Sequence, residues 1–325
     1  MFCDKGSAAK PLEETVVLQM LSTSSDPYRI DEPAAERAGD NFAPNPFRPD
    51  WTPQTIARFF AWLGTNPHKQ DVYFSLQVGP ALVRFLEMAG VLSGRMIDYG
   101  CGPGYLLNLL SNKNIDLHGA DFSAEAVDIV NRQLAGKPRW HGVRLIRSMP
   151  SPELPESAFD LATCIETIEH LPDEPLNATL AQLRRIVKVG GYLLLTTPSN
   201  EDLEKGMGYC PFCEAEFHAW QHVRRFTPQS LRTMLEARGW EVTFCDSLTL
   251  WRLMPRPWPG KWDFNLRYAM GSWHRFSATV RDRLRPRPFP HGRLMNVLKR
   301  PGPHLIALAR KLPADNSAAK GVCAE

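Results

Sequence analysis

Asp98-Tyr99-Gly100-Cys101-Gly102-Pro103-Gly104 stands between the short stretch Arg95-Met96-Ile97 and the helix-like run Tyr105 to Leu110. The order is strand, glycine turn and helix start, with an acid at the strand end. Glycine tolerates positive φ and lets the backbone approach a ligand, and the helix start behind it offers N–H groups without intrahelical partners. The run therefore predicts a nucleotide-like cofactor. A dinucleotide fingerprint, Gly-x-Gly-x-x-Gly, would need glycine at position 105, where Tyr105 stands.

Outward from this turn, strand and helix signals alternate. Met96 to Asp98 is followed by Tyr105 to Ser111, Asp116 to Ala120 by Ala124 to Leu134, and then comes Val143 to Arg147. Phe159 to Ile165 precedes a helix from Leu176 to Val187, and Tyr192 to Thr197 precedes one from Pro228 to Arg238; Glu241 to Leu250 and Pro303 to Lys311 read as the last strands. Such alternation predicts an α/β fold with a parallel sheet, here of seven strands with helices on both faces. Upstream, Thr52 to Leu63, with Ile56, Phe59, Phe60 and Leu63 on one face, and Tyr73 to Met88 have helical spacing and read as lid or packing helices. The expected organisation is an irregular leader over 1–50, N-terminal helices over 51–90, a main domain over 91–250 plus 301–312, an insertion over 251–300 and a disordered tail over 313–325.

The 325 residues suffice for one large α/β domain with extensions, and a hydrophobic fraction of 43% beside 22% charged residues is that of a globular protein. A net charge of +3 names no partner by itself. No apolar run reaches the roughly 18 residues of a membrane span, and Asp4, Lys5, Glu13 and Glu14 interrupt any signal-peptide core, so a cytoplasmic location is expected. Of seven cysteines, Cys3, Cys101, Cys164, Cys245 and Cys323 are isolated, a poor disulfide framework; Cys210 and Cys213 form the one close pair.

The second strand ends in Gly119-Ala120-Asp121-Phe122-Ser123, which places a carboxylate where it can accept both hydroxyls of a ribose. Helix capping by Ser123 is the plainer reading of the same segment. The glycines at 100, 102 and 104, Asp121, the fourth strand Phe159 to Cys164 and Gly190-Gly191 before an apolar strand together resemble the class I S-adenosylmethionine (SAM) methyltransferases. The resemblance covers roughly residues 90–250 and the last strand. It implies a Rossmann-like seven-stranded methyltransferase sheet, SAM as cofactor, and cofactor contacts at Asp98, Gly100, Cys101, Gly102, Gly104, Asp121, Phe122 and Cys164. Where many relatives place an Asp after the third strand for the adenine amino group, this chain has Arg147-Ser148-Met149-Pro150, so Ser148 or the Met149 backbone takes that place.

Cys164-Ile165-Glu166-Thr167-Ile168-Glu169-His170-Leu171 lies where this family opens its substrate pocket. On a helical turn Glu166, Glu169 and His170 would have i, i+3, i+4 spacing and converge. The Glu-x-x-Glu-His pattern with a later histidine, matched by His222, resembles the metal-assisted O-methyltransferases of ubiquinone biosynthesis and of small-RNA 3′ ends, which implies a divalent cation held against substrate hydroxyls. Members without metal also resemble this segment; in them the histidine lines the pocket or acts as base, and His170 is the favoured base here, with Glu166 and Glu169 as catalytic companions. Cys210-Pro211-Phe212-Cys213 followed by His218 and His222 has zinc-knuckle-like spacing, which gives a structural zinc on those four residues. The two metal readings compete for His222.

Residues 251–300 hold twelve Arg or Lys against Asp263 and Asp282, with Trp251, Trp258, Trp262 and Trp273 interleaved. This mixture suits an anionic bilayer interface or phosphate groups, and equally a solvated basic face with packed tryptophans. No nucleic-acid module is visible. The expected activity is O-methylation of a small-molecule, glycan or lipid-linked hydroxyl by in-line transfer from SAM, with peripheral membrane contact through 251–300; the alternative is a non-catalytic protein of the same fold that binds a membrane or partner through the insertion.

Overall fold

Strand β1 (Arg95–Tyr99) sends Met96 and Ile97 to opposite faces of the sheet, and both are fully buried. The same alternation recurs in β5 (Val187–Pro198), where Leu194 joins Met96 on one face while Leu193 and Leu195 join Ile97 on the other. A strand apolar on both faces needs a cover on each side. One face is covered by α2 (Phe74–Ala89), α3 (Tyr105–Leu110) and α4 (Ala124–Gln133) through residues such as Leu82, Phe85, Leu107 and Val130; the other is covered by α5 (Asp173–Ile186) and α6 (Pro228–Glu236) through Leu180, Leu183, Leu231 and Leu235. Truncating a central leucine such as Leu194 to alanine would cost about 2–5 kcal/mol.

This computed structural model describes residues 52–254, 290 and 302–313. The expected leader over 1–50, all but the first residues of the 251–300 insertion, and the tail beyond 313 lie outside the described residues. Among the described residues, no helix is long and apolar enough to cross a membrane. Of the described residues, 208–217 belong to one compact unit and the others to a second.

With β2 (Asp116–Asp121), β3 (Trp140–Leu145), β4 (Phe159–Ile165), β8 (Trp240–Leu248) and β9 (His304–Lys311), the large sheet has seven strands in the order β3-β2-β1-β4-β5-β9-β8. The first five are parallel and β9 runs antiparallel between β5 and β8. The chain winds outward from β1 to β3 and then returns to place β4 on the other side of β1. At that reversal the loops after β1 and β4 diverge and leave a crevice at the C-terminal strand ends. A two-stranded ribbon, β6 (Met207–Tyr209) with β7 (Glu216–His218), follows β5.

Three boundaries differ by three residues or more from those expected. β3 starts at Trp140, three residues early, and α5 starts at Asp173, where Asp173 and Glu174 sit favourably in its positive first turn. Gly190 and Gly191 do not form a turn ahead of the fifth strand but lie inside β5, where the register against β4 shifts between Phe159 and Leu161. Gly190 has φ +79, and a Cβ on Gly191 would lie 3.0 Å from the carbonyl oxygens of Asp160 and Lys188. The pair makes a bulge in the strand.

Ahead of the sheet, α1 (Pro53–Thr65) is capped by Thr52, whose hydroxyl accepts the Thr55 N–H. It is followed by a short 3₁₀ turn over Pro67–Val72. From that turn the Gln70 amide donates to the carbonyls of Leu63, Gly64 and Asn66, while its oxygen accepts the Tyr105 hydroxyl at 2.6 Å. The residue that spoils a dinucleotide fingerprint thus ties the N-terminal helices to the glycine turn.

Candidate functional site

The glycine turn after β1 requires glycine for two reasons. Gly100, Gly102 and Gly104 have φ of +76, +50 and +77, in the left-handed region. A Cβ on Gly100 would also lie 2.8 Å from the Thr167 hydroxyl, and one on Gly104 would lie 2.7 Å from Val130 Cγ2. The turn is held from β2: Ala120 carbonyl accepts the Gly100 N–H, and the Asp121 carboxylate accepts the N–H groups of Gly102 and Ser123, each at 2.8 Å. Ser123 caps α4 at the same time, as the plainer reading of this segment has it.

Asp98 lies beneath the turn, buried, and accepts the Thr163 hydroxyl at 2.6 Å. Burial pushes its carboxyl up to about 7 against the pull of that hydrogen bond, and the nearby Asp121 raises it further. A cavity of about 640 Å³ opens above these groups. Asp98, Gly100, Cys101, Gly102, Asp121 and Phe122 line it, as do Arg147, Ser148 and Met149 from the segment after β3. Cys164 does not: its side chain is fully buried among Ile97, Leu193 and Leu195 beneath the sheet, because it occupies an inward position of β4. It belongs to the core and not to the expected cofactor set. Gly104 likewise packs on Val130 and stands outside the cavity wall.

After β4 the chain makes no helical turn at Glu166, which has φ +45 and donates its N–H to Thr196 of β5. A short 3₁₀ turn follows over Ile168–His170. The i, i+3, i+4 convergence therefore fails for Glu166 and survives for Glu169 and His170. All three line the cavity and are buried enough that the carboxyls of Glu166 and Glu169 are pushed well up, while the His170 imidazole is pushed down to about 3 by burial and by neighbouring His222.

Glu169 is 1% exposed, and neither of its carboxylate oxygens has a hydrogen-bond partner. Such a group is expensive unless something else meets it. What meets it is imidazole: His170 Nε2 lies 3.8 Å from Glu169 Oε1, and the His170 and His222 rings are 4.8 Å apart. Glu169, His170 and His222 form one of two groups among the described residues whose potential metal-ligating atoms all lie within 4.8 Å; the other is Glu201, His218 and His222.

Hydrogen bonds assign the protons. The carbonyl of Gln221 can only accept, so His170 Nδ1, 3.4 Å away, carries the hydrogen and Nε2 keeps its lone pair toward Glu169. His222 Nδ1 lies 2.5 Å from Glu201 Oε2, which likewise puts its hydrogen on Nδ1 and leaves Nε2 as a lone-pair donor. His218 is the reverse case. Its Nδ1 accepts the N–H groups of Trp220 and His222, so its hydrogen is on Nε2, directed at Glu201 Oε1 3.7 Å away.

Among the described residues, neither ligand group contains Cys210 or Cys213 of the expected zinc set. Cys210 and Cys213 lie in the turn of the β6–β7 ribbon, where Cys210 N–H donates to Ala215 and backbone N–H groups of Cys213 and Phe212 lower the Cys210 thiol from its ordinary range.

Residues that sequence spacing did not single out complete the wall. Phe60 meets His170 edge to face at 4.8 Å, and Tyr73, Trp220, Leu171 and Pro172 also line the cavity. Val223 N–H donates to the Glu169 carbonyl, and the Arg224 guanidinium holds the Leu171 carbonyl, which fixes the His222 segment against the turn after β4.

A family model described as "Methyltransferase domain" matches residues 53–243. Among curated proteins, the chain is 26% identical over 122 residues to the ubiquinone biosynthesis O-methyltransferase of Thiobacillus denitrificans, covering 37% of this chain and 52% of that protein. It is 22% identical over 204 residues to the protein of the same description from Idiomarina loihiensis, covering 58% and 80%. The chain spans about half the length of the curated relatives it matches first. Among solved structures, it is similar to a DhpI complex with SAH at 18% identity and a TM-score of 0.48, covering 81% of this chain and all of that one.

Proposed function

The chain belongs to the methyltransferase-domain family and is a class I SAM-dependent methyltransferase; from that premise we propose that it methylates a hydroxyl of an aromatic small molecule, with a divalent cation at Glu169, His170 and His222. The observation that carries the proposal is the meeting of a buried carboxyl without a hydrogen-bond partner and two imidazoles at the wall of the cavity that the glycine turn also lines. When bound, SAM supplies an electrophilic methyl on its sulfonium and the cation supplies charge that eases deprotonation of an acceptor hydroxyl.

The residues around these groups divide the work. Asp121 stands ready for the nucleoside, and Asp98 for the cationic end of the cofactor's methionine, both at the cavity wall. Glu169 and the Nε2 atoms of His170 and His222 would hold the cation, and Glu166 adds a buried carboxyl to the same wall. Phe60, Tyr73, Leu171 and Trp220 provide an apolar surface for an aromatic ring and exclude water from the transfer. A second hydroxyl beside the acceptor would give the cation two oxygens to hold, which favours catechol-type acceptors over isolated alcohols.

Incubation with methyl-labelled SAM and Mg2+ against a panel of catechols, monophenols, glycans and aliphatic alcohols tests this reading. Transfer to catechols above the others is expected. Binding of labelled SAM with transfer confined to glycans or alcohols would overturn the acceptor assignment.

A further inference from the structure

Glu201 lies just beyond the end of β5, and one carboxylate there faces two imidazoles. Its Oε2 is 2.5 Å from His222 Nδ1 and its Oε1 is 3.7 Å from His218 Nε2, while the two rings stack at 4.7 Å with an interplanar angle of 23°. We propose that Glu201 is the positioning residue of the cation site: by accepting the Nδ1 hydrogen of His222 it fixes the tautomer and orientation that turn the Nε2 lone pair toward Glu169 and His170. A carboxylate behind a ligating histidine orients the ring and raises its donor strength.

The surroundings are built for this. His218 is 3% exposed, and its own tautomer is imposed from outside by the N–H groups of Trp220 and His222, so it can offer Glu201 only a donor. Its Nε2 lies 3.7 Å from Glu201 Oε1, beyond hydrogen-bond distance, so the hydrogen bond to His222 is the one that engages the carboxylate. Gly206 sits where any Cβ would overlap His218 Nε2, so the chain keeps a glycine there and the ring stays close under Glu201. Among the described residues, the hydrogen bond to Glu201 is the one that engages the His222 ring. Glu201 is thus distinct in role from Glu169: it touches the ring that would ligate and not the site itself.

The inference rests on the cation reading of Glu169, His170 and His222, and the test separates the two. Imidazole nitrogen NMR gives the His222 tautomer without any metal, and Mn2+ titration followed by electron paramagnetic resonance gives cation affinity, in wild type, Glu201→Ala, Glu201→Gln and Glu201→Asp; SAH affinity reports the integrity of the fold. The expected result is an Nδ1–H tautomer in wild type that becomes mixed in Glu201→Ala, with Mn2+ affinity lowered about 10–100-fold. Glu201→Asp recovers part of the loss, Glu201→Gln loses several-fold through its missing charge, and SAH affinity holds. If Glu201→Ala loses SAH binding through misfolding, the isosteric Glu201→Gln decides. An unchanged tautomer in Glu201→Ala, or in either neutral variant an unchanged Mn2+ affinity, overturns the role of Glu201. Failure of wild type to bind Mn2+ overturns the cation reading, and with the tautomer still dependent on Glu201 it leaves that residue's hold on His222 established.

Discussion

Replacing Asp98 with asparagine should stabilise the cofactor-free protein at neutral pH and leave it unaffected in acid. The carboxyl is buried, accepts the Thr163 hydroxyl, and is pushed up to about 7 from an ordinary 3.8. Below about pH 4 the folded and unfolded chains both carry the proton and the group contributes nothing. Between about pH 4 and about pH 7 the folded chain binds a proton that the unfolded chain has released, so stability falls as pH rises. Above about pH 7 the penalty is complete, and at about 1.4 kcal/mol per pH unit it amounts to about 4 kcal/mol. Asparagine keeps an oxygen for Thr163 and has no charge to desolvate, so the variant lacks this slope. Urea unfolding of both proteins in EDTA, at intervals from pH 4 to pH 8, reads the effect as the difference between the two curves, since Glu166 and Glu169 titrate in both. The variant should match wild type near pH 4 and exceed it by several kcal/mol at pH 8. A difference constant within about 0.5 kcal/mol across the range would refute the reasoning, because an unperturbed Asp98 makes the two curves parallel.

Gly104→Ala forces a side chain into φ +77 and a Cβ to within 2.7 Å of Val130, so it should lose about 1–2 kcal/mol from the backbone and about 1–3 kcal/mol from overpacking, seen as a lower melting temperature of the cofactor-free protein. Asp121→Asn keeps one acceptor oxygen and sets an NH2 against the N–H of either Gly102 or Ser123, and it should weaken SAH binding at least about tenfold by calorimetry; a change under about threefold would speak against the ribose role. Glu169→Gln should abolish Mn2+ binding while Cys213→Ser leaves it unchanged, because the cysteines belong to neither ligand group. Loss of Mn2+ only in the cysteine variant would restore the knuckle as the metal site.

What the sequence reveals of this molecule is what short-range periodicity and single-turn chemistry can carry. The alternation of Met96 with Ile97 and the positive φ of the glycines at 100, 102 and 104 are set within a few residues, and each stands in the fold where its pattern put it. Gly190-Gly191 misleads because a bulge and a turn use the same residue type, and only pairing with β4 separates them. Glu166 misleads because helical spacing assumes helical φ, and its N–H is drawn to Thr196 instead. Cys164 has the right position in sequence but the wrong parity along β4, which turns it into the core. The site's less legible half is long-range: Glu201 meets His222 across 21 residues and Gln70 meets Tyr105 across 35, and no local pattern announces either. The histidines illustrate the limit best, since ligand spacing counts residues and cannot see which nitrogen bears the hydrogen.

Dependence of methyl transfer on a cation at Glu169, His170 and His222 is the central claim, and chelation tests it most directly. Purified protein stripped with EDTA is assayed for transfer from labelled SAM to a catechol, before and after addition of Mg2+ or Mn2+, with SAM binding followed in parallel. The account predicts that stripping abolishes transfer, that either ion restores it in wild type but not in Glu169→Gln, and that SAM binding persists throughout. Undiminished transfer in EDTA by protein shown to be free of metal would contradict it.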